Sequence, residues 1–331
     1  MDLWDVARHG VVSTADARSL GIGTGHLRRL VLAGRLLPLV RGWYAVTPDG
    51  EEPPPWQDAD RFVAARNLHL LRTAALLRSF EGRVTASHQS AVVLHGGRLW
   101  RADLDTVHLT RTADVHSRHR RGAVLHPQVD AGTVAGWDGL STVPMAIAVV
   151  QVGLVPTSKR GGPTPMESLI AADGALHAKQ ITHAQLESAL ELHRGHPHVE
   201  GVRLLLAHAD GRHESVGETR LGHVLRCLGY TATPQVPVVA RGVTRRGDFG
   251  IDGTEAIIEF DGLSKYSGGF VSADPAAVRR ALAEEKARQS DLEDAGKEIA
   301  RVGWTDLQSP SVIRAKVDRA IDRARLRRRY A

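Results

Sequence analysis

Five residues toward the end of this 331-residue chain, Glu218, Asp248, Glu259, Asp261 and Lys265, are of the types that metal-dependent phosphodiester hydrolysis uses. Carboxylate oxygens hold Mg²⁺, which activates an attacking water and neutralises the charge that builds on a phosphate, while a lysine orients or deprotonates that water. Glu259 and Asp261 stand two apart, so in a strand they project from one face. A salt-bridge network between strands would produce the same pattern, and residue types alone do not choose between the two.

Those side chains meet only if the elements around them form. From Glu214 to Leu228, the apolar residues Leu221, Val224, Leu225 and Leu228 define one face of a helix, and Glu218 lies a turn before Leu221 on that face. A carboxylate aimed inward costs on the order of several kcal/mol without a partner, so Glu218 pairs with a cation or metal, or sits at the rim of a cleft. Three strands are predicted next, Thr233–Ala240, Arg245–Ile251 and Glu255–Asp261, the second carrying Asp248 and the third Glu259. Asp274 with Pro275 reads as the N-cap and first residue of a helix that runs to Ala295, with Gly296 at its C′ position and a further strand at Ile299–Trp304.

The formal net charge is +6, and residues 312–331 alone carry it: Arg314, Lys316, Arg319, Arg323, Arg325, Arg327, Arg328 and Arg329 stand against Asp318 and Asp322. Ile313, Val317, Ile321 and Ala324 recur there at helical spacing, which predicts an amphipathic helix with a cationic face. Such a face suits a phosphate backbone, and equally a solvated surface.

At the other end, residues 1–47 read as three short helices and a hairpin. Leu3, Val6 and Ala7 suggest a first helix; Ser13 with Asp16 resembles a capping box for a second, running to Leu20. Gly21, Gly23 and Gly25 make a turn, Thr24 caps a third helix from His26 to Ala33, and Gly34 ends it. Leu27, Leu30 and Val31 then face inward, and His26, Arg28 and Arg29 outward. Strands Leu36–Val40 and Trp43–Val46, joined by Arg41-Gly42, complete a wing. This order lays a recognition helix into the major groove and the wing on the backbone, making His26, Arg28, Arg29 and Arg41 the expected DNA contacts. Three-helix units also serve as protein-docking modules.

Between the ends, helices are predicted at Trp56–Phe80, Ala86–Leu94, Pro165–His177 and Thr182–His193, and strands at Thr106–Thr110 and Ala123–Val129. No catalytic spacing stands out. His116 with His119, and His196 with His198, have spacings a metal could use, but no third ligand follows at a recognisable interval, so no zinc site is expected. The run Gly21-Ile-Gly-Thr-Gly25 lacks the Lys-Ser/Thr of a phosphate loop and follows a helix rather than a strand. The single cysteine, Cys227, excludes an internal disulfide and a thiolate cluster and reads as a small core residue. Apolar runs are far shorter than the roughly 20 residues a membrane helix needs, and Asp2 and Asp5 spoil a signal peptide, so a cytoplasmic protein with no membrane partner is expected.

The run Glu218-Thr-Arg-Leu, Pro234-Gln-Val, Gly247-Asp-Phe, Ile258-Glu-Phe-Asp-Gly, Lys265-Tyr266, Glu285-Lys-Ala-Arg288 and Arg301-Val-Gly-Trp304 resembles the domains related to very-short-patch repair endonucleases, a branch of the PD-(D/E)XK superfamily. The resemblance covers about 100 residues. It implies that Asp248 and Glu259 are the central, metal-holding acids, that Glu218 is the helix-borne acid, and that Asp261 and Lys265 stand nearby. Two departures bear on activity. Asp261 occupies the position where many members carry lysine, leaving that role to Lys265, and Lys265-Tyr266 stands where the repair endonucleases usually show histidine. A nuclease fold kept as a DNA clamp or partner platform is therefore a rival reading.

The N-terminal part, through Gly34-Arg-Leu, Arg41-Gly-Trp-Tyr44, Ser87–Gly96 and Val107-His-Leu-Thr110, resembles the AbiEi-type antitoxins of abortive-infection toxin–antitoxin systems. That resemblance implies an autoregulatory DNA-binding module and a cognate toxin as partner. The expected fold is thus an α+β multidomain chain: a winged helix-turn-helix over 1–50, an AbiEi-like central α/β and helical region over 56–208, a PD-(D/E)XK endonuclease-like α/β domain over 211–310, and a basic helix over 311–331.

Overall fold

The computed structural model describes residues 2–48, 53–113, 116–130, 132–156, 162–240, 242–262, 291 and 295–330. Lys265 and most of the helix expected over 274–295 lie outside these residues. The chain is a mixed α+β protein of two compact units, Met1–Ala209 and Asp210–Ala331.

The first unit opens on β1 (Val11–Ser13), α1 (Thr14–Ser19), α2 (Thr24–Leu32), β2 (Leu36–Val40) and β3 (Trp43–Val46). Ser13 caps α1 through a full capping box with Asp16. The β2–β3 hairpin pairs antiparallel and β3 also pairs with β1, giving the order β1-β3-β2. Two expectations fail here. Residues 3–6 form turns rather than a helix, because the Asp2 carboxylate accepts the N–H groups of Trp4 and Asp5, holding the backbone in a local side-chain turn. Thr24 is the first residue inside α2, and Gly23 takes the cap position without a side-chain bond.

The helix α3 (Arg61–Phe80) follows, five residues later than its apolar pattern begins, because Asp60 caps it by accepting the Phe62 N–H. Next come β4 (Val84–Ala86), α4 (His88–Leu94), β5 (Val107–Arg111), β6 (Arg118–Arg120), β7 (Ala123–His126), β8 (Val134–Ala135) and β9 (Ser141–Thr142). They build a six-stranded mixed sheet in the order β6-β7-β5-β4-β9-β8, with β5 parallel to β7. Four helices complete the unit: α5 (Met145–Gly153), α6 (Pro165–His177), α7 (His183–Leu192) and α8 (Val199–Leu206). All of α5 is buried, so its sequence Met-Ala-Ile-Ala-Val-Val-Gln-Val-Gly is apolar on every face, as a helix at the centre of a core must be. Arg78 of α3 ties the N-terminal elements to the sheet layer: it donates to the Val11 carbonyl at 2.7 Å, pairs with Asp16, and lies over the Trp43 ring.

The second unit runs α9 (Val216–Cys227), β10 (Ala232–Ala240), β11 (Val243–Ile251), β12 (Ala256–Asp261), β13 (Glu298–Gly303) and α10 (Pro310–Tyr330). Its sheet has the order β10-β11-β12-β13, antiparallel until β13, which joins β12 in parallel. Leu221 and Leu225 of α9, Phe249, Ile258 and Val302 of the sheet, and Ile313 and Val317 of α10 form its core. The burial of Ile313, Val317 and Ala324, with Ile321 packed at the edge, turns the arginine-rich face of α10 outward. Cys227 is exposed rather than in the core, because α9 buries Leu221 and Leu225 and leaves the last turn at the surface. Among the described residues, no helix is long and apolar enough to cross a membrane.

Candidate functional site

The basic face of α2 follows from its periodicity. Leu27 is buried, Leu30 and Val31 pack at the margin of the same small core, and His26, Arg28 and Arg29 are exposed. Arg41, also exposed, stands at the hairpin tip, where Gly42 takes φ +78° and its carbonyl accepts the Thr14 N–H at 2.8 Å. A left-handed residue at that point suits glycine because it has no Cβ to clash. The hairpin is thereby tied to the start of α1. Charge on one helix face beside a cationic hairpin tip is an arrangement that can engage a phosphate backbone.

The acids of the second unit occupy α9, β11 and β12. Glu218 is 8 % exposed, and its Oε2 accepts the Glu214 N–H at 2.8 Å and the Gln235 side-chain amide at 3.1 Å. Among the described residues, its hydrogen-bond partners are thus neutral donors. Gln235, a non-glycine residue of β10 with φ +52°, is a site residue that sequence reasoning missed; its left-handed backbone is the kind of outlier that marks a constrained position. Asp248 accepts the Phe260 N–H at 2.7 Å, just past the pairing of Phe249 with Ile258 between β11 and β12. Glu259 is 3 % exposed, opposite Arg301 on β13, whose guanidinium lies 3.9 Å away. Asp261, at the end of β12, is half-buried. Asp248 and Glu259 are hard-oxygen donors on adjacent strands, the right kind for Mg²⁺, which accepts one or two carboxylates and keeps its waters. Among the described residues, no three of these carboxylates bring oxygens within 4.8 Å of one another.

The first unit holds a group of histidines that short spacing could not reveal. His88, His108 and His126 come from α4, β5 and β7, and burial, followed by the neighbouring imidazoles, holds His88 and His108 well below the ordinary histidine range. Burial takes His126 down to about 4. His69, fully buried on α3, is also lowered to about 4 by burial; its Nδ1 lies 2.8 Å from the Leu104 carbonyl and its Nε2 2.9 Å from Ser90 Oγ. Ser90 Oγ in turn accepts the His108 N–H, linking the two histidines through one hydroxyl.

Comparison with known proteins places residues 3–47 in similarity to a family described as transcriptional regulator, AbiEi antitoxin. Two further relatives, uncharacterized proteins from two strains of Mycobacterium tuberculosis, are each 26 % identical over 293 residues, covering 87 % of this chain and 94 % of theirs.

Proposed function

We propose that the chain is a DNA-binding transcriptional regulator of the AbiEi antitoxin kind. Residues 1–50 are read as a winged helix, with α2 in the major groove and the β2–β3 hairpin on the backbone. The observation that carries this reading is a coincidence. The matched residues 3–47 contain a helix that buries Leu27 and turns His26, Arg28 and Arg29 to solvent, followed by a hairpin with Arg41 at its tip. The partners are DNA and, by the family's description as an antitoxin, a toxin protein. Fluorescence anisotropy with the duplex upstream of the chain's own coding sequence tests it. Arg28→Ala and Arg29→Ala should each cost about 1–3 kcal/mol where the arginine reads a base. Both side chains are exposed, so folding is spared, and undiminished specific binding by the double variant would sink the proposal.

A second reading is favoured by the two buried carboxylates, Glu218 and Glu259, and by Asp248 on the strand between them. Here the second unit is a PD-(D/E)XK-type endonuclease domain acting in phage defence or DNA repair. Asp248 and Glu259 would hold Mg²⁺, which when bound supplies a polarised phosphate and an activated water. Glu218 and Gln235 then orient the edge of the site through their hydrogen bond. The test is cleavage of plasmid and of mismatched duplex with Mg²⁺: wild type cuts and Glu259→Ala does not. If neither cuts while both still bind DNA, the domain serves the regulator as a clamp.

A further inference from the structure

Neither reading uses the buried histidines of the first unit. His88 opens α4, His108 lies on β5 and His126 ends β7, and one ring nitrogen from each lies within 4.8 Å of the other two. His108 Nδ1 and His126 Nε2 are 2.8 Å apart, and the His88 and His126 rings stack with centroids 3.8 Å apart. The parallel register sets Thr110 opposite His126, so the sheet carries two of the rings on neighbouring strands. The third arrives by a constrained backbone. His88 has φ +52°, a left-handed conformation that L side chains adopt at a cost, and its N–H donates to Gln151 Oε1 at 3.2 Å. Ser87 Oγ lies 3.0 Å from His88 Nδ1, which leaves Nε2 as that ring's other donor atom.

We infer that His88, His108 and His126 form a binding site for a divalent transition-metal cation of the Zn²⁺ class. Neutral imidazole nitrogen is a ligand for zinc, copper, nickel and cobalt, whereas magnesium and calcium take oxygen, and this group of three contains no carboxylate. Zinc–nitrogen bonds of about 2.0–2.1 Å in tetrahedral geometry set nitrogens roughly 3.4 Å apart. One pair of these nitrogens is 2.8 Å apart and all three lie within 4.8 Å of one another, a range that includes this spacing, so side-chain adjustment would close the site.

A fourth histidine supports the assignment independently. His193 is 8 % exposed; its Nδ1 lies 2.8 Å from the Ala189 carbonyl, and its buried Nε2 has no hydrogen-bond partner. With no partner for Nε2 among the described residues, a carbonyl on Nδ1 sets the tautomer that leaves a lone pair on Nε2, the arrangement that metal-bound histidines use. His193 is also among the groups that act electrostatically on His88.

The full-length chain, stripped with a chelator, is titrated with Zn²⁺ and in parallel with Mg²⁺, followed by calorimetry and thermal melting. One Zn²⁺ per chain should bind and raise the melting temperature, because a ligand of the native state stabilises it by mass action, and Mg²⁺ should do neither. X-ray absorption of the Zn²⁺-loaded wild type should show at least three imidazole nitrogens around the metal. His126→Gln should weaken binding by roughly a hundredfold or more, while the surface variant His183→Gln, changed at an exposed histidine at the start of α7, should bind as wild type does. The proposal is overturned if wild type binds no stoichiometric Zn²⁺, if oxygen dominates the coordination sphere, or if binding survives His126→Gln and is lost in the surface variant. Should His126→Gln not fold, the wild-type titration and absorption spectrum decide alone.

Discussion

His69 shows what burial does to a titratable side chain in this fold. Its pKa is about 4 in the native state against 6.5 for the free group, so the native chain binds fewer protons than the unfolded one between those values. The stability it contributes is complete above pH 6.5 and is lost as the pH falls toward 4. The gap corresponds to about 3 kcal/mol. Urea unfolding at pH 7 and pH 4 should show a loss at least that large, since His88, His108 and His126 are lowered in the same direction. His69→Gln should shrink the difference by about 3 kcal/mol; an unchanged difference would mean His69 is not held neutral. Residue types announced some of this scale and hid the rest. Glu218, Asp248 and Glu259 were legible because carboxylates beside apolar residues stand out. The three converging histidines were not: the pairs His116/His119 and His196/His198 have metal-like spacing, yet the group that meets comes from three elements joined only by tertiary folding.

At the scale of elements, α9 is seated on the sheet by the absence of a side chain. A Cβ built on Gly217 would lie 2.0 Å from the Phe260 ring, far inside contact distance, while Phe260 itself packs edge-on against Trp304. Helix propensity alone favours alanine over glycine by about 1 kcal/mol. The clash opposes that gain, and overpacking costs typically about 1–3 kcal/mol. Gly217→Ala should therefore destabilise the chain by up to about 2 kcal/mol in urea, and it should disturb Glu218, one residue on; a stabilised variant would mean that Phe260 yields freely. Elements were read well where local chemistry terminates them. The Ser13 capping box, the Thr182 cap of α7 and the Ser215 cap of α9 fix helix starts, and the hairpin strands Leu36–Val40 and Trp43–Val46 coincide with their apolar pattern. They were read badly where a competitor was non-local or equally local. The strand β1 is only three residues long and exists because β3 offers it a partner, and the Asp2 turn outcompetes a first helix whose apolar residues would have supported it.

Across the whole molecule, charge is distributed unevenly, and this separates two contributions to the proposed DNA binding that affinity alone would merge. The net charge of residues 312–331 equals that of the entire chain, so the remainder sums to zero. Within α10 some of those charges already serve the fold: Lys316 pairs with Asp306 at 2.6 Å, Arg327 with Glu298 at 2.5 Å, and Arg314 lies over the Tyr230 ring. Arg323, Arg328 and Arg329 stay exposed. If they meet phosphates, each releases a counterion, and replacing all three with alanine should reduce the slope of log affinity against log salt by about 2–3. Sequence preference should survive, because phosphate contacts position a protein without reading bases. The Arg28→Ala/Arg29→Ala variant should do the reverse, abolishing the preference for the specific duplex with a smaller change in slope. Anisotropy titrations of both variants on specific and scrambled duplexes, between about 50 and 200 mM salt, distinguish the cases. A triple variant with an unchanged slope assigns the cationic face of α10 to solvent and leaves DNA binding to the N-terminal elements; a triple variant that also loses sequence preference would show that α10 reads bases.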